Sequence, residues 1–349
     1  MSNQKIKRIL IHDETGIPGI EVLTRFKSFI ELRIGYFNSL QKLKKLYPSA
    51  KLYYKNSDSE FNQFFLAQHP FILPDDGMDY DFELKSSNFQ PWDLIQNIPR
   101  FIDEDISLSK DISKWKNKFK PKSSNFDLVG KDKYLFLHPD AKIYPGVVLD
   151  TTSGPIVIDK NVKISPFSFL EGPLYIGADS QIDNAKIGGG SIIGRNCRIG
   201  GEIENSIIQD YSNKHHEGFL GHSFLGSWVN MGALSTTSDL KNNYGMIEIT
   251  SQSGKVQTGT IKFGSIIADF SKVGIGVMLN TGTVVDIACN LVSNRITGYK
   301  YPFTWIDDGQ NYRLDRFLQD TKKIMARRSI ILNMEEEALI TSLYNRCIK

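Results

Sequence analysis

Cysteine is scarce in this chain of 349 residues. The three present, Cys197, Cys289 and Cys347, are odd in number and lack metal-ligand spacing. That excludes a disulfide framework and a cysteine metal site, and reduced thiols are expected. There is no apolar run of 18 residues, which excludes a membrane-crossing helix. The basic start MSNQKIKR lacks the apolar stretch of a signal peptide, so a cytoplasmic location is expected. No run of five basic residues occurs and the net charge is only +3, so nucleic acid is not an expected partner.

What the chain does have is a period of six. Isoleucine or leucine recurs at Ile158, Ile164, Leu170, Ile176 and Ile182. One residue is then skipped, and the count resumes at Ile187, Ile193 and Ile199. It returns at Leu225 and Met231, and again at Ile267, Val273, Leu279 and Val285. A compact residue such as Val162, Ser168, Ser180, Ser191 or Cys197 follows many of these at an offset of four. Six fits neither the helical period nor a simple strand alternation. It fits a chain that turns a corner every six residues, so that three short strands close a triangular coil of a parallel β-helix. Between Gly146 and Gly282 lie 21 of the 28 glycines, as tight corners require. Cys197 then falls on an inward, small-residue position.

The remaining chain has another texture. Arg8–His12 and Ala50–Tyr54 read as strands, and Phe26–Tyr47 has apolar residues at helical spacing, an order that suggests a small α/β unit. Residues 75–82 form an acidic loop, residues 91–115 contain a helix candidate, and Lys118–Ser124 reads as a linker. The repeat is interrupted at Thr151–Pro155 and at Asp239–Thr260, the second long enough to project as an arm. Leu314–Arg328 and Met334–Tyr344 read as amphipathic helices that would cap the open end. The expected organisation is therefore a reduced α/β domain over 1–130, the β-helix over 131–290 and a helical cap over 291–349.

The stretch Ser212–Gly226 (SNKHHEGFLGHSFLG) breaks the pattern and holds three of the six histidines, His215, His216 and His222. Histidine titrates near neutral pH and is a natural general base. Alternation along a strand would send His215 and His216 to opposite faces. A set of surface histidines or a stacked ladder is the plainer reading. A zinc site finds no carboxylate or cysteine at ligand spacing, so no metal is expected here.

The same stretch, with IELRIG at 30–35, PWDLIQN at 91–97, RIGGEIENSII at 198–208, NTGTVV at 280–285 and MARR at 325–328, resembles a divergent, shortened branch of the bifunctional N-acetylglucosamine-1-phosphate uridyltransferase / glucosamine-1-phosphate acetyltransferase family. The resemblance implies a left-handed β-helix and a homotrimer whose active sites are shared across subunits, with the arm reaching over the neighbour. It implies acetyl-CoA as co-substrate and an amino-sugar phosphate as acceptor. His216 matches the catalytic base, Asp239 an asparagine of the site, and Phe219 an aromatic beside the sugar, with Lys214 and His222 as further substrate-binding candidates. Gly264, Ser265 and Thr281 match positions lining the CoA groove.

The chain also departs from the family. Gly188 stands where relatives carry the phosphate-binding arginine, and Lys186, Arg195 and Arg198 are the candidates to replace it. Asp239 replaces an amide that can donate with a carboxylate that cannot. The glycine-rich nucleotide loop is reduced to GIPG at 16–19, where Pro18 removes a backbone N–H from any phosphate cradle. Thr24, Arg25, Lys27 and Arg33 are left as weak nucleotide-binding candidates, and Mg2+ would enter only with an active N-terminal domain. Three readings stay open: an amino-sugar acetyltransferase, a bifunctional enzyme that is also a uridyltransferase, and a non-catalytic β-helix scaffold.

Overall fold

The computed structural model describes residues 6–115, 126–305 and 309–348. The Lys118–Ser124 linker reading lies outside them.

Near the N-terminus, four parallel strands form one sheet: β1 (Arg8–Asp13), β2 (Lys51–Asn56), β3 (Ile72–Pro74) and β4 (Phe82–Lys85), in the order β3-β2-β1-β4. Helices α1 (Ser39–Leu46) and α2 (Ser59–Gln68) connect the first three strands. Both start on a side-chain cap: Asn38 accepts from Gln41 N, and Asp58 accepts from Glu60 N and Phe61 N. The helix expected over Phe26–Tyr47 is only α1. Before it, the chain makes a 3-10 turn at Phe29–Glu31 and otherwise lies along the coil stack, where its polar groups find partners. The 91–115 stretch is three helices, α3 (Pro91–Gln96), α4 (Ile98–Leu108) and α5 (Lys110–Trp115).

The centre of the chain is mainly β, and its strands stack in parallel. One sheet runs through Ile164, Ile182, Ile199, Lys214, Met231, Val273 and Leu291. A second runs through Leu149, Leu170, Ile187, Ile203 and Leu220, and a third through Ile158, Ile176, Ile193, Ile208, Leu225, Ile267 and Val285. Most coils thus give one strand to each row, and in two of them a single strand, Gln181–Ile187 or Arg198–Glu204, runs through the first two rows. The inward residues read from the period are buried: Ile158, Ile164, Ile176 and Ile193 are 0% exposed, and Val273 and Leu279 are 2% exposed. One corner repeats a left-handed backbone at Asn161, Asp179, Asn196, Tyr211, Trp228, Phe270 and Ala288. Cys197 is fully buried, and burial pushes its thiol up to about 12.

The stack extends past the expected edges. Strand Phe126–Val129 pairs with Val147–Asp150 at one end. At the other, Asn290–Leu291, Arg295–Ile296 and Tyr299–Lys300 continue the coil, and Thr304–Trp305 turns back on Gln310–Asn311. Helix α6 (Leu314–Ala326) runs along the wall: Phe317 packs edge-on to Phe270 and Phe303, and Arg328, just beyond the helix, donates to Asn213 Oδ1 at 3.0 Å. Helix α7 (Met334–Cys347) leans on α2 through Arg346–Asp58. The two helices therefore flank the stack, where a cap over its end was expected.

The 239–260 interruption packs partly against its own chain. Glu248–Ser251 and Gly254–Gln257 form a hairpin that folds onto its own chain. Ile247 and Ile249 are fully buried, Ser253 N donates to Glu21 Oε1 at 3.1 Å, and Arg25 donates to Gln252 at 2.8 Å. Tyr244 and Met246, in the same segment, stay exposed.

Candidate active site

The structure sorts the proposed site residues by their partners. The N-terminal basic residues point at the coil stack. Arg25 pairs with Asp286 at 2.7 Å, Lys27 with Asp269 at 2.8 Å and Arg33 with Asp210 at 2.7 Å. Asp210 and Asp269 each stand one residue before the left-handed corner residue of their coil. The segment 25–33 therefore runs down that corner, also exchanging backbone bonds between Arg33 and the Gln209 side chain. Burial pushes the Asp210 carboxyl up, but Arg33 and then Arg195 pull harder, and the net direction is down. Thr24 bonds back to Ile20 O and Glu21 O. Three of the four nucleotide-binding candidates thus have their charges paired with coil aspartates, while Thr24 and Arg25 also line a cavity beside Gly16.

The expected replacements for the missing arginine separate in the same way. Lys186 pairs with Glu202 at 2.8 Å and Arg195 with Asp210 at 2.8 Å. The surroundings of Gly188 include Glu171, Glu202 and Glu204, so that cavity is acidic apart from the paired Lys186. Only Arg198 remains near the histidines, its guanidinium held by Asp179 O and Cys197 O.

The residues matched to the CoA groove pack closely between coils within one protomer. Ser265 is fully buried, facing inward. A Cβ on Gly264 would lie 2.1 Å from Gly221 O, so Gly264 serves close packing between coils. Thr281 bonds Ser238 through their hydroxyls at 2.8 Å.

His215 and His216 are not split between faces. The strand ends at Lys214, so both histidines sit on the corner beyond it, where alternation does not apply. Their ring centroids are 4.9 Å apart and both line one cavity of about 680 Å³. His215 Nε2 is 2.8 Å from Asp183 Oδ2. The cavity is also lined by Arg198, Arg327, Arg328 and Lys272, and among the described residues no carboxylate lines it. Burial holds the Lys272 ammonium below its ordinary value, and burial with the neighbouring Arg198 and Arg327 charges does the same for Arg328. One wall is Tyr211 stacked on Trp228, 4.3 Å apart and 4° from parallel. The sequence reading assigned no role to Arg327, Arg328 or this stack. The signals were present: adjacent arginines closing a helix, and two aromatics at the same corner of successive coils.

Phe219, His222 and Asp239 form a second cluster. His222 Nδ1 lies 2.7 Å from Asp239 Oδ2, and this bond, more than any other influence, holds the Asp239 carboxyl below its ordinary range. A Cβ on Gly221 would meet the Phe219 ring at 2.3 Å and Asp239 Oδ2 at 2.7 Å, so the glycine makes room for both. Within one protomer neither His222 nor Asp239 lines the His216 cavity. Lys214, expected at the substrate, is instead inside the coil stack at 2% exposure, where burial pushes its ammonium down to about 8.

No family model matches the chain. Among curated proteins, the uncharacterised acetyltransferase YaiX of Escherichia coli K12 is 28% identical over 142 residues, 40% of this chain and 62% of that protein. The bifunctional protein GlmU of Synechococcus elongatus is 30% identical over 186 residues, 47% of this chain and 37% of that protein. GlmU of Nostoc sp. is 34% identical over 127 residues, 31% of this chain and 27% of that protein. A Bacillus cereus structure solved as a candidate acetyltransferase aligns with a TM-score of 0.32 and 14% identity, over 59% of this chain and 99% of that one. The chain thus spans less than two thirds of YaiX and of either GlmU protein. It is a divergent relative of the GlmU proteins and of the YaiX acetyltransferase.

Proposed function

We propose that this chain is an acetyl-CoA-dependent N-acetyltransferase acting on an amino sugar, with glucosamine 1-phosphate the first acceptor to assay, in the synthesis of UDP-N-acetylglucosamine. The supporting observation is the cavity at His216, with four cationic side chains and no carboxylate among its described lining residues. Like charges gathered without counter-charges are costly, and a polyanionic ligand such as the phosphates of CoA relieves that cost. The Tyr211–Trp228 stack offers an aromatic face for the adenine.

His216 is the base. It takes a proton from the acceptor ammonium, the free amine forms the new N–C bond at the thioester carbonyl, and the C–S bond breaks. The imidazole gives up that first proton to solvent, and as the C–S bond breaks the nitrogen's second proton passes through the imidazole to the departing thiolate, leaving a neutral amide and a thiol. The Asp239–His222 pair and Phe219 form the sugar-facing cluster. Glucosamine compared with glucosamine 1-phosphate tells whether the acceptor phosphate contributes.

The protein works as a homotrimer of left-handed β-helices, which brings the cluster of one protomer towards the histidines of another. Exposed apolar residues on one edge favour this: Phe167 is 82% exposed, Leu234 63% and Ile275 78%. The N-terminal domain docks on the stack through residues 25–33 and binds nucleotide weakly or not at all. Robust UTP-dependent turnover with N-acetylglucosamine 1-phosphate would refute that part.

The direct test is acetyl transfer from acetyl-CoA. His216→Ala lowers the rate by about 10²–10⁴-fold, the usual worth of a placed general base. Failure of the wild type to acetylate any amino sugar overturns the reading.

A further inference from the structure

Six of the inward positions in the sheet containing Lys214 are apolar: Ile164, Ile182, Ile199, Met231, Val273 and Leu291. Lys214 breaks this row, and a buried ammonium needs a local cause. The cause is a change in coil length. Ile164 to Leu170 takes six residues, Ile182 to Ile187 five, and Ile199 to Ile203 only four. The next coil takes six again, from Lys214 to Leu220. Its corner, His215–Gly218, overhangs a corner that has been cut off. Lys214 fills the gap from inside: Nζ donates to Gly200 O at 3.0 Å and to His216 O at 2.5 Å. Gly201 sits at φ 71°, and a Cβ there would lie 2.7 Å from Lys214 Nζ and 2.8 Å from His216 O, so the site leaves no room for a side chain. Glu202 N reaches Gly218 O at 3.2 Å, tying the far side of the same corner.

We propose that Lys214 is a positioning residue for His216: from inside the coil stack its ammonium clamps the overhanging His215–Gly218 corner to the truncated coil beneath and so fixes where the imidazole stands in the cavity. The clamp acts through the backbone carbonyl of His216 and touches neither substrate. It rests on the proposed role of His216 as base, and it explains why a charged side chain occupies an aliphatic row.

The test is a double-mutant cycle with a second, activity-free readout. Lys214→Met keeps an unbranched side chain one atom shorter and removes both hydrogen bonds. In the folded variant, kcat falls about 10–100-fold, the scale seen when the support of a catalytic group is removed, while KM for acetyl-CoA is unchanged. In a His216→Ala background the same substitution costs nothing further, because residues acting as one unit are not additive. Hydrogen exchange at the amides of residues 215–218 speeds up in Lys214→Met and not elsewhere in the stack. Should Lys214→Met not fold, Lys214→Gln, which keeps one donor, is carried through the same measurements and shows the same pattern at smaller amplitude. Additive losses in the cycle, or unchanged exchange at residues 215–218, overturn the clamp. If His216→Ala alone keeps the wild-type rate, the base assignment falls and the positioning role falls with it, while the exchange result still tells whether the clamp exists.

Discussion

Two sets of basic side chains lie along this coil stack. Arg25, Lys27 and Arg33 each meet an aspartate at 2.7–2.8 Å. Arg198, Arg327 and Arg328 share a cavity with His216, and no carboxylate lines it among the described residues. In sequence the first set looked like the remnant of a nucleotide site and the last two arginines had no role. The difference shows that a cation's function is set by what faces it. A paired, half-buried arginine holds structure together, and a cluster of unpaired ones is held together by the fold for something else to neutralise.

The largest expected effect separates the two sets by stability. Asp286→Ala leaves Arg25 facing an empty, buried partner position, since Asp286 is fully buried. Removing one member of a buried pair costs about 3–5 kcal/mol. Chemical denaturation should show that loss, whereas Arg327→Ala changes stability by no more than about 0.5 kcal/mol. Equal losses in both would erase the distinction.

Next comes ligand affinity. Arg327→Ala and Arg328→Ala each weaken acetyl-CoA binding about 10–100-fold, the worth of one charge-assisted hydrogen bond. Arg25→Ala, compared at a temperature where it stays folded, leaves that affinity alone. Calorimetric titration reads both.

A smaller effect comes from pH. Burial raises the Asp13 carboxyl to about 6, with the Ser28 and Tyr54 hydrogen bonds only partly offsetting it. Because its folded pKa is raised, its stabilising contribution is complete below the unfolded value near 4 and is lost as pH rises through 6. Asp210 behaves in the opposite sense: its folded pKa is lowered, so its contribution is present above the ordinary carboxylate range and lost as pH falls through the lowered value. Thermal stability should therefore rise between pH 7 and pH 5, before the docking seam weakens in stronger acid. Asp105 is likewise raised to about 6 by burial, so Asp13→Asn should roughly halve that rise, removing about 1 kcal/mol of it. A rise of the same size in Asp13→Asn contradicts the assignment.

The coil stack was legible in the sequence because its period of six is a property of inward residues alone. Ile158 to Ile199 could be placed without knowing any partner. Strands β1 and β2 were legible for a related reason, as short apolar runs between breaks. The Phe26–Tyr47 helix was misread because its apolar residues also suit a segment lying on the coil corner, and only Asp210, Asp269 and Asp286, 177 to 261 residues from their basic partners, decide between the two. The opposite placement of His215 and His216 failed since it assumed a strand that ends one residue earlier, at Lys214. Lys214 itself, offered as a substrate contact, turned inward because a coil two residues short had left carbonyls to satisfy. For the Phe26–Tyr47 segment and for Lys214 the deciding contact came from a coil distant in sequence, which a local pattern does not contain.

Acetyl-CoA titration of three proteins side by side tests the central claim most directly: the wild type, Arg25→Ala, and the Arg327→Ala/Arg328→Ala double variant. The account predicts binding by the first two with equal affinity and loss of binding by the third, with all three folded by circular dichroism. Binding by the double variant at wild-type affinity, or no binding by the wild type, would contradict it.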